Sequence, residues 1–269
     1  MNERFDTLPC DLSNPGHFFA CCGLMEIAAL LDPEVTARFT GGGFWMSVAP
    51  ADALAALIAA DLAPVPLPEG SRRARGGQPR KIAPLHIAVD SSILVVDWWL
   101  HEGVADFKSW SGGQSASDAA LKMHEAIGEM GPVADVLDRA VPASLKPYYY
   151  DCRAGGNAVD LGFMDSDLVT TVYAGTELLA FIGLQRFRPA PAGTRWGRRY
   201  ATWSRPLPIE LAMAAAACVL PPLEQERWHF DMTWRDAAGR YKAFGRAYSE
   251  SIPLTARSDD HGKVGTGQV

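Results

Sequence analysis

The sequence lacks the markers of several common protein chemistries. Its five cysteines, Cys10, Cys21, Cys22, Cys152 and Cys218, form no CxxC pair. The count is odd and two of them sit in an apolar run, which argues against both a disulfide framework and a zinc knuckle. The six histidines, His17, His86, His101, His124, His229 and His261, never fall at HxxxH or HExxH spacing, so no metal site can be read from the sequence. There is no GxxxxGK[ST] phosphate loop, which removes nucleotide hydrolysis even though Ser111-Gly112-Gly113-Gln114 echoes a transporter ATPase signature. No apolar run reaches the ~18 residues of a spanning helix, and no basic segment with a hydrophobic block opens the chain. A cytoplasmic protein with no membrane partner and no cofactor is therefore expected. Positive charge is also in deficit: 25 Lys and Arg against 31 Asp and Glu give a net charge of −6. That sum does not describe a basic nucleic-acid protein, although clustering counts for more than the total.

What is present is an ordinary globular composition, 48% apolar and 21% charged over 269 residues, long enough to bury a core. Residues 4–11 read as a strand, and Ser13-Asn14-Pro15-Gly16 as a capped helix start with proline in the first turn. The helix to about Leu31 carries Phe18, Phe19, Cys22, Met25, Ile27, Ala28 and Leu30 on a broad apolar face. His17 lies near its start, where the helix dipole favours a neutral, hydrogen-bonding ring. Val35–Thr40 and Phe44–Val48 form a hairpin through Gly41-Gly42-Gly43, a helix follows from Ala51 to about Leu62, and Leu85–Val89 with Ile93–Trp99 form a second hairpin. The order strand, helix, strand, strand, helix, strand predicts an α+β fold with a ferredoxin-like (RRM/RAMP-like) βαββαβ core. A mostly helical insertion and closing strands over Trp228–Thr233 and Tyr241–Tyr248 complete one domain spanning 1–254, and residues 255–269 read as a disordered tail. Tyr148-Tyr149-Tyr150 begins a strand-like run. Leu178, Leu179, Phe181, Ile182 and Leu184 make a helix that is apolar all round and should be buried.

Basic residues interleaved with aromatics are what a single-stranded nucleic-acid groove uses, combining phosphate neutralisation with base stacking. Several stretches have this character. The Pro- and Gly-rich segment 64–84 is an exposed basic loop with Arg72, Arg73 and Arg75 against the single acid Glu69. Lys108, Trp110 and Gln114 surround a glycine turn ahead of a helix. Arg153 and Asn157 flank the Gly155-Gly156 turn, where backbone amides can approach a ligand. Arg186 and Arg188 precede a proline stop, and Arg195, Arg198 and Arg199 alternate with Trp196 and Tyr200 without an acid. Solvated polar faces, and a core position for Trp110, are the competing readings. The nucleic-acid reading requires these cations to converge on one continuous track.

Three stretches carry a resemblance. Leu12-Ser13-Asn14-Pro15-Gly16-His17-Phe18-Phe19-Ala20-Cys21-Cys22-Gly23-Leu24 resembles the amino-terminal NPGxFFACCGLLE signature of the Csb-type subunit of type I-U (I-G) CRISPR-Cas systems. Lys108-Ser109-Trp110-Ser111-Gly112-Gly113-Gln114 is similar to its K-x-W-x-G-x-Q element, with a glycine where a bulkier residue is expected. Residues 151–189 resemble its D-x-R-x-G-x-N-A-x-D-x-G-F stretch and the ELLAFIGLQRFRP that follows. The resemblance covers roughly residues 5–250. It implies a non-enzymatic, large-subunit-like or RAMP-like member of the Cascade effector complex, in antiviral defence. The partners it implies are CRISPR RNA or target DNA, or both, and other Cascade subunits, and the roles it implies include recognising the motif beside the target. No catalytic residues carry over. Two other readings compete: an RNA-processing endoribonuclease using His17 or His101, and a structural subunit that docks through Trp98 and Trp99.

Overall fold

The computed structural model describes residues 7–65, 83–101, 107–110, 114–128, 135–142, 147–153, 171–235 and 241–250. Within them the fold is mixed α+β, with antiparallel sheets around a helical centre. The first sheet contains β1 (Thr7–Pro9), β2 (Thr36–Thr40), β3 (Gly43–Met46) and β11 (Leu207–Pro208), in the order β1-β3-β2-β11. The second contains β4 (Asp61–Pro64), β5 (Leu85–Val89) and β6 (Ser92–Val96) in sequence order. In the third, the long β12 (Glu226–Trp234) takes β10 (Gly197–Thr202) on one edge, with β9 (Ala190–Pro191) beyond, while β13 (Lys242–Phe244) and β14 (Tyr248–Glu250) also pair with it. β7 (Val141–Pro142) and β8 (Thr171–Val172) form a short ribbon. The helices are α1 (Pro15–Leu31), α2 (Pro50–Ala59), α3 (Ala116–Gly128), α4 (Ala174–Gly183) and α5 (Ile209–Ala216).

The expected βαββαβ order is present along the chain, with β3 pairing between β1 and β2 in the first sheet. β4 does not return to the free edge of β1. It follows α2 directly after Ala60 and pairs with β5 from Asp61↔Ala88 to Pro64↔Leu85. The open edge of β2 is taken instead by β11, through Leu207↔Ala37.

Local chemistry explains the elements. Gly41 and Gly42 have φ of +24° and +96°, which closes the β2–β3 hairpin. Along that hairpin Ala37, Phe39, Phe44 and Met46 point into the core, while Thr36, Arg38, Thr40 and Trp45 face outward. Asn14 caps α1 by accepting from the Gly16 amide at 3.1 Å, with Pro15 at the first helical position. The run 148–150 is not a strand. Tyr149 adopts φ +64°, and the amides of Tyr148, Tyr150 and Asp151 turn toward the Glu177 carboxylate at 2.9–3.3 Å instead of toward a neighbouring strand.

The centre of the molecule is the crossing of α1 and α4. Every residue of α4 is buried, Glu177 included, as its all-round apolar character predicts. The crossing depends on two glycines: a Cβ at Gly23 would lie 1.9 Å from the Leu179 carbonyl oxygen, and one at Gly183 would lie 2.2 Å from that of Phe19. Aromatic rings pack on both sides. Phe18 stacks on Tyr200 with centroids 4.1 Å apart, and Tyr148 stacks on Phe181 at 4.5 Å. Trp98 and Trp99 belong to this core and are not docking residues: Trp98 is fully buried with Nε1–H donating to the Phe181 carbonyl at 3.0 Å, and Trp99 lies 4.9 Å from the Phe181 ring.

Candidate nucleic-acid interface

The residues picked out by the sequence separate into an interior group and a surface group. In the interior, Asp151 is fully buried and is the centre of a polar knot. Its Oδ1 accepts from Asn14 Nδ2 at 3.0 Å and from the Arg153 amide at 2.8 Å, and its Oδ2 accepts from Arg153 Nη2 at 2.7 Å. Arg153 also donates to Asp138 and to the Leu137 carbonyl, with its guanidinium 3.7 Å from the centroid of Tyr173. These contacts engage the guanidinium within the fold. Asn157 lies outside the described residues.

His17 lies between two N–H groups, Arg153 Nη2 at 2.8 Å from Nε2 and the Asp11 amide at 3.2 Å from Nδ1, and a neutral ring accepts from one of them. Burial, and then the charge of Arg153, hold its pKa below the ordinary histidine value. The ring is neutral and inward, which suits a hydrogen-bonding role and not that of an acid presented to substrate. Glu177, beside the knot, is pushed up to about 8 by burial and by Asp151, while its three backbone N–H donors pull the other way.

Arg186 pairs with Glu26, a carboxylate on α1 with no exposed surface, through Nε at 2.9 and 2.8 Å and Nη2 at 2.5 Å. Burial raises the Glu26 pKa above its ordinary value with Arg186 opposing it, and the pair ties α1 to the segment just after α4. Arg188 is half-buried and donates to the Gln185 carbonyl at 3.3 Å. Trp110 is 5% exposed, with Trp98, Tyr148 and Phe181 around it, so its faces are covered by protein rings and not offered to a base. Gln114 stands half-buried in the turn ahead of α3. Arg72, Arg73 and Arg75 lie outside the described residues.

The surface group gathers at one end of the third sheet. Arg195 is exposed, with its guanidinium 4.6 Å from the centroid of Trp196, and Lys242 Nζ lies 4.8 Å from the same ring. Trp196 meets the partly exposed Trp234 edge-on at 5.3 Å. Arg235 covers Tyr149 at 3.3 Å and approaches Tyr241 at 5.5 Å, and its Nη2 donates to the Ser109 carbonyl. That bond brings in Lys108, half-buried over Trp110 at 5.5 Å, with a pKa lowered by burial. Arg198 is buried, donates to the Arg195 and Gly197 carbonyls and lies over Phe107. Arg199, next to it on β10, points to the opposite face and donates to the Pro191 carbonyl at 3.2 Å.

Comparison with protein-family models, with curated proteins and with solved structures finds no match.

Geometry therefore joins Lys108, Arg195 and Arg198 at one sheet end, sends Arg199 to the other face, and places Arg153 and Arg186 in internal ion pairs. Trp234, Arg235 and Lys242, absent from the sequence-derived candidates, complete the surface cluster. Their signal was weak: each flanks a closing strand, and only the pairing of Trp234 with Lys242 across β12 and β13 puts them beside Trp196. Glu26 left a clearer trace, as the one charged residue in the apolar helix Pro15–Leu31. A charge in such a position must find a partner. Among the described residues no set of histidine, cysteine and carboxylate side chains is arranged to hold a metal ion, and no helix is long and apolar enough to cross a membrane.

Proposed function

We propose that this chain is a non-catalytic subunit of a type I-U (I-G) CRISPR effector complex, binding guide RNA or target DNA in antiviral defence on a RAMP-like α+β body. The observation that carries the nucleic-acid reading is the cluster of Arg195, Trp196, Trp234 and Lys242, two cations on one indole beside a second, partly exposed indole. Phosphates and unpaired bases are the ligands for such a surface. The subunit assignment rests on the sequence resemblance, and it is supported by how the three resembling stretches meet. Asn14 of the first bonds Asp151 of the third, and Trp110 of the second packs on Tyr148 and on Phe181 of the third. The sheet order β1-β3-β2 is consistent with a RAMP-like ancestry.

The test is a fluorescence-anisotropy titration of the purified chain with short single-stranded RNA and DNA at several salt concentrations. Binding whose logarithm falls linearly with the logarithm of salt is expected. The Arg195→Glu/Lys242→Glu double variant should bind at least about tenfold more weakly than the wild type at the same salt and have the same thermal midpoint. Salt-independent or absent binding by the wild type to both oligonucleotides would overturn the reading. Co-expression with candidate effector subunits, followed by sequencing of any retained RNA, tests the subunit assignment separately.

A further inference from the structure

The outer face of the first sheet is built like a second contact surface. The register places Thr7, Trp45 and Arg38 in one row across β1, β3 and β2, with Pro9, Gly43 and Thr40 in the next. Thr36 extends the same face, opposite the buried side formed by Leu8, Phe44, Met46, Ala37 and Phe39. These two rows and Thr36 contain one indole, one guanidinium, three hydroxyls and no carboxylate.

The Arg38 guanidinium lies 5.1 Å from the centroid of Trp45, and its covered Nε has no acceptor among the described residues. A guanidinium beside an indole has hydrogen-bonding capacity left over. Gly43, on the same strand face, puts no side chain next to Trp45, and a Cβ there would meet Thr7 Cγ2 at 2.4 Å. A protein partner docking by apolar contact would need a broader hydrophobic patch than one indole among hydroxyls. Positive charge beside an aromatic on an open antiparallel sheet matches a single-stranded nucleic acid, in which unpaired bases stack on strand aromatics and hydroxyls bond sugar or base edges.

We propose that this face is a second single-strand contact, at which one base stacks on Trp45 and Arg38 holds an adjoining phosphate. The proposal rests on the nucleic-acid reading above and adds a site on a different sheet from the Arg195–Lys242 cluster. Its chemistry is the same for RNA and DNA, so the test has an arm for each.

The full chain is photo-cross-linked to short single strands containing 4-thiouridine or 5-bromodeoxyuridine, and the attached peptide is identified by mass spectrometry. Cross-links within residues 43–46 are expected in at least one arm. In anisotropy titrations Trp45→Thr, which replaces the indole by a strand-forming residue like its neighbours, should weaken binding about tenfold with little change in salt slope. Arg38→Gln should lower the slope by about 0.7, the loss of one phosphate contact. If Trp45→Thr and Arg38→Gln melt and bind like the wild type and no cross-link falls in this peptide, the site is refuted. Sensitivity to Arg195→Glu/Lys242→Glu in the same experiment would leave the parent reading intact. If the wild type binds neither oligonucleotide, both fail together. Loss of a co-purifying protein subunit by Trp45→Thr with unchanged oligonucleotide affinity would reassign the face to protein docking and also refute the proposal.

Discussion

Arg153 and Arg195 each lie against an aromatic ring, Tyr173 and Trp196, yet they do opposite work. Arg153 is surrounded by Asp151, Asp138 and a backbone carbonyl, and it fastens the start of α1 to the segment preceding α4. Arg195 is exposed, with a tryptophan below it and a second cation on the same ring. The difference is set by the acids. A carboxylate with no exposed surface, such as Asp151 or Glu26, cannot keep its charge without a cation, and the nearest arginine becomes structural. Where no buried acid among the described residues makes that demand, as around Trp196, the same pairing of residue types can serve an external phosphate.

The comparison breaks most completely if the interior is pried open. Gly23→Ala places a methyl group 1.9 Å from the Leu179 carbonyl oxygen at the α1–α4 crossing, where neither backbone can yield without displacing the rings around it. A loss of about 3 kcal/mol or more is expected, read as a thermal midpoint lowered by roughly 10 °C. Next in size is Arg153→Ala. It leaves Asp151 buried with backbone and Asn14 donors but no cation, and about 3 kcal/mol of stability should be lost in urea unfolding. Arg195→Ala, by contrast, should leave the urea midpoint unchanged.

Much of the local structure was legible in the sequence, and the part that was not has a physical cause. The NPG cap, the Gly41-Gly42 hairpin and the all-apolar helix at 174–183 follow from local rules, and the structure contains each of them. The sheet closure was not local. β4 reads as the end of a helix because Asp61-Leu62-Ala63 continues the alanine- and leucine-rich pattern, and only pairing with β5 makes it a strand. The tyrosine run Tyr148-Tyr149-Tyr150 has strand-forming residues, but a buried acid 27 residues further on draws its amides into a turn. The arginines could not be sorted from sequence at all. Glu26 and Arg186 are 160 positions apart, and nothing in the local pattern announces that they meet.

Glu177 sharpens the same contrast through pH. Its folded pKa of about 8 lies above the unfolded value of 4.5, so the folded state binds the proton more tightly. The resulting contribution to stability is fully present below about 4.5 and is lost as pH rises through about 8. Stability measured by urea unfolding from pH 5 to 8 should therefore decline toward the upper end, and Glu177→Gln should flatten the profile. A wild-type profile that rises across this window would mean that the three backbone donors outweigh burial and hold the carboxylate ionised.

The finest comparison uses neighbours on one strand. Arg198 is 4% exposed and donates to the Arg195 and Gly197 carbonyls, whereas Arg199 faces the other side of β10 and donates to the Pro191 carbonyl at the surface. Arg198→Ala should cost about 2 kcal/mol by removing a buried side chain that donates to the Arg195 carbonyl and packs over Phe107, and Arg199→Ala should change stability by less than about 0.5 kcal/mol. Both substitutions remove one positive charge, so net charge cannot explain a difference between them. If Arg199→Ala also leaves oligonucleotide affinity and its salt slope unchanged, the nucleic-acid path is confined to the Trp196 side of the third sheet. A slope reduced by about 0.7 would instead carry the path around the sheet edge at β9.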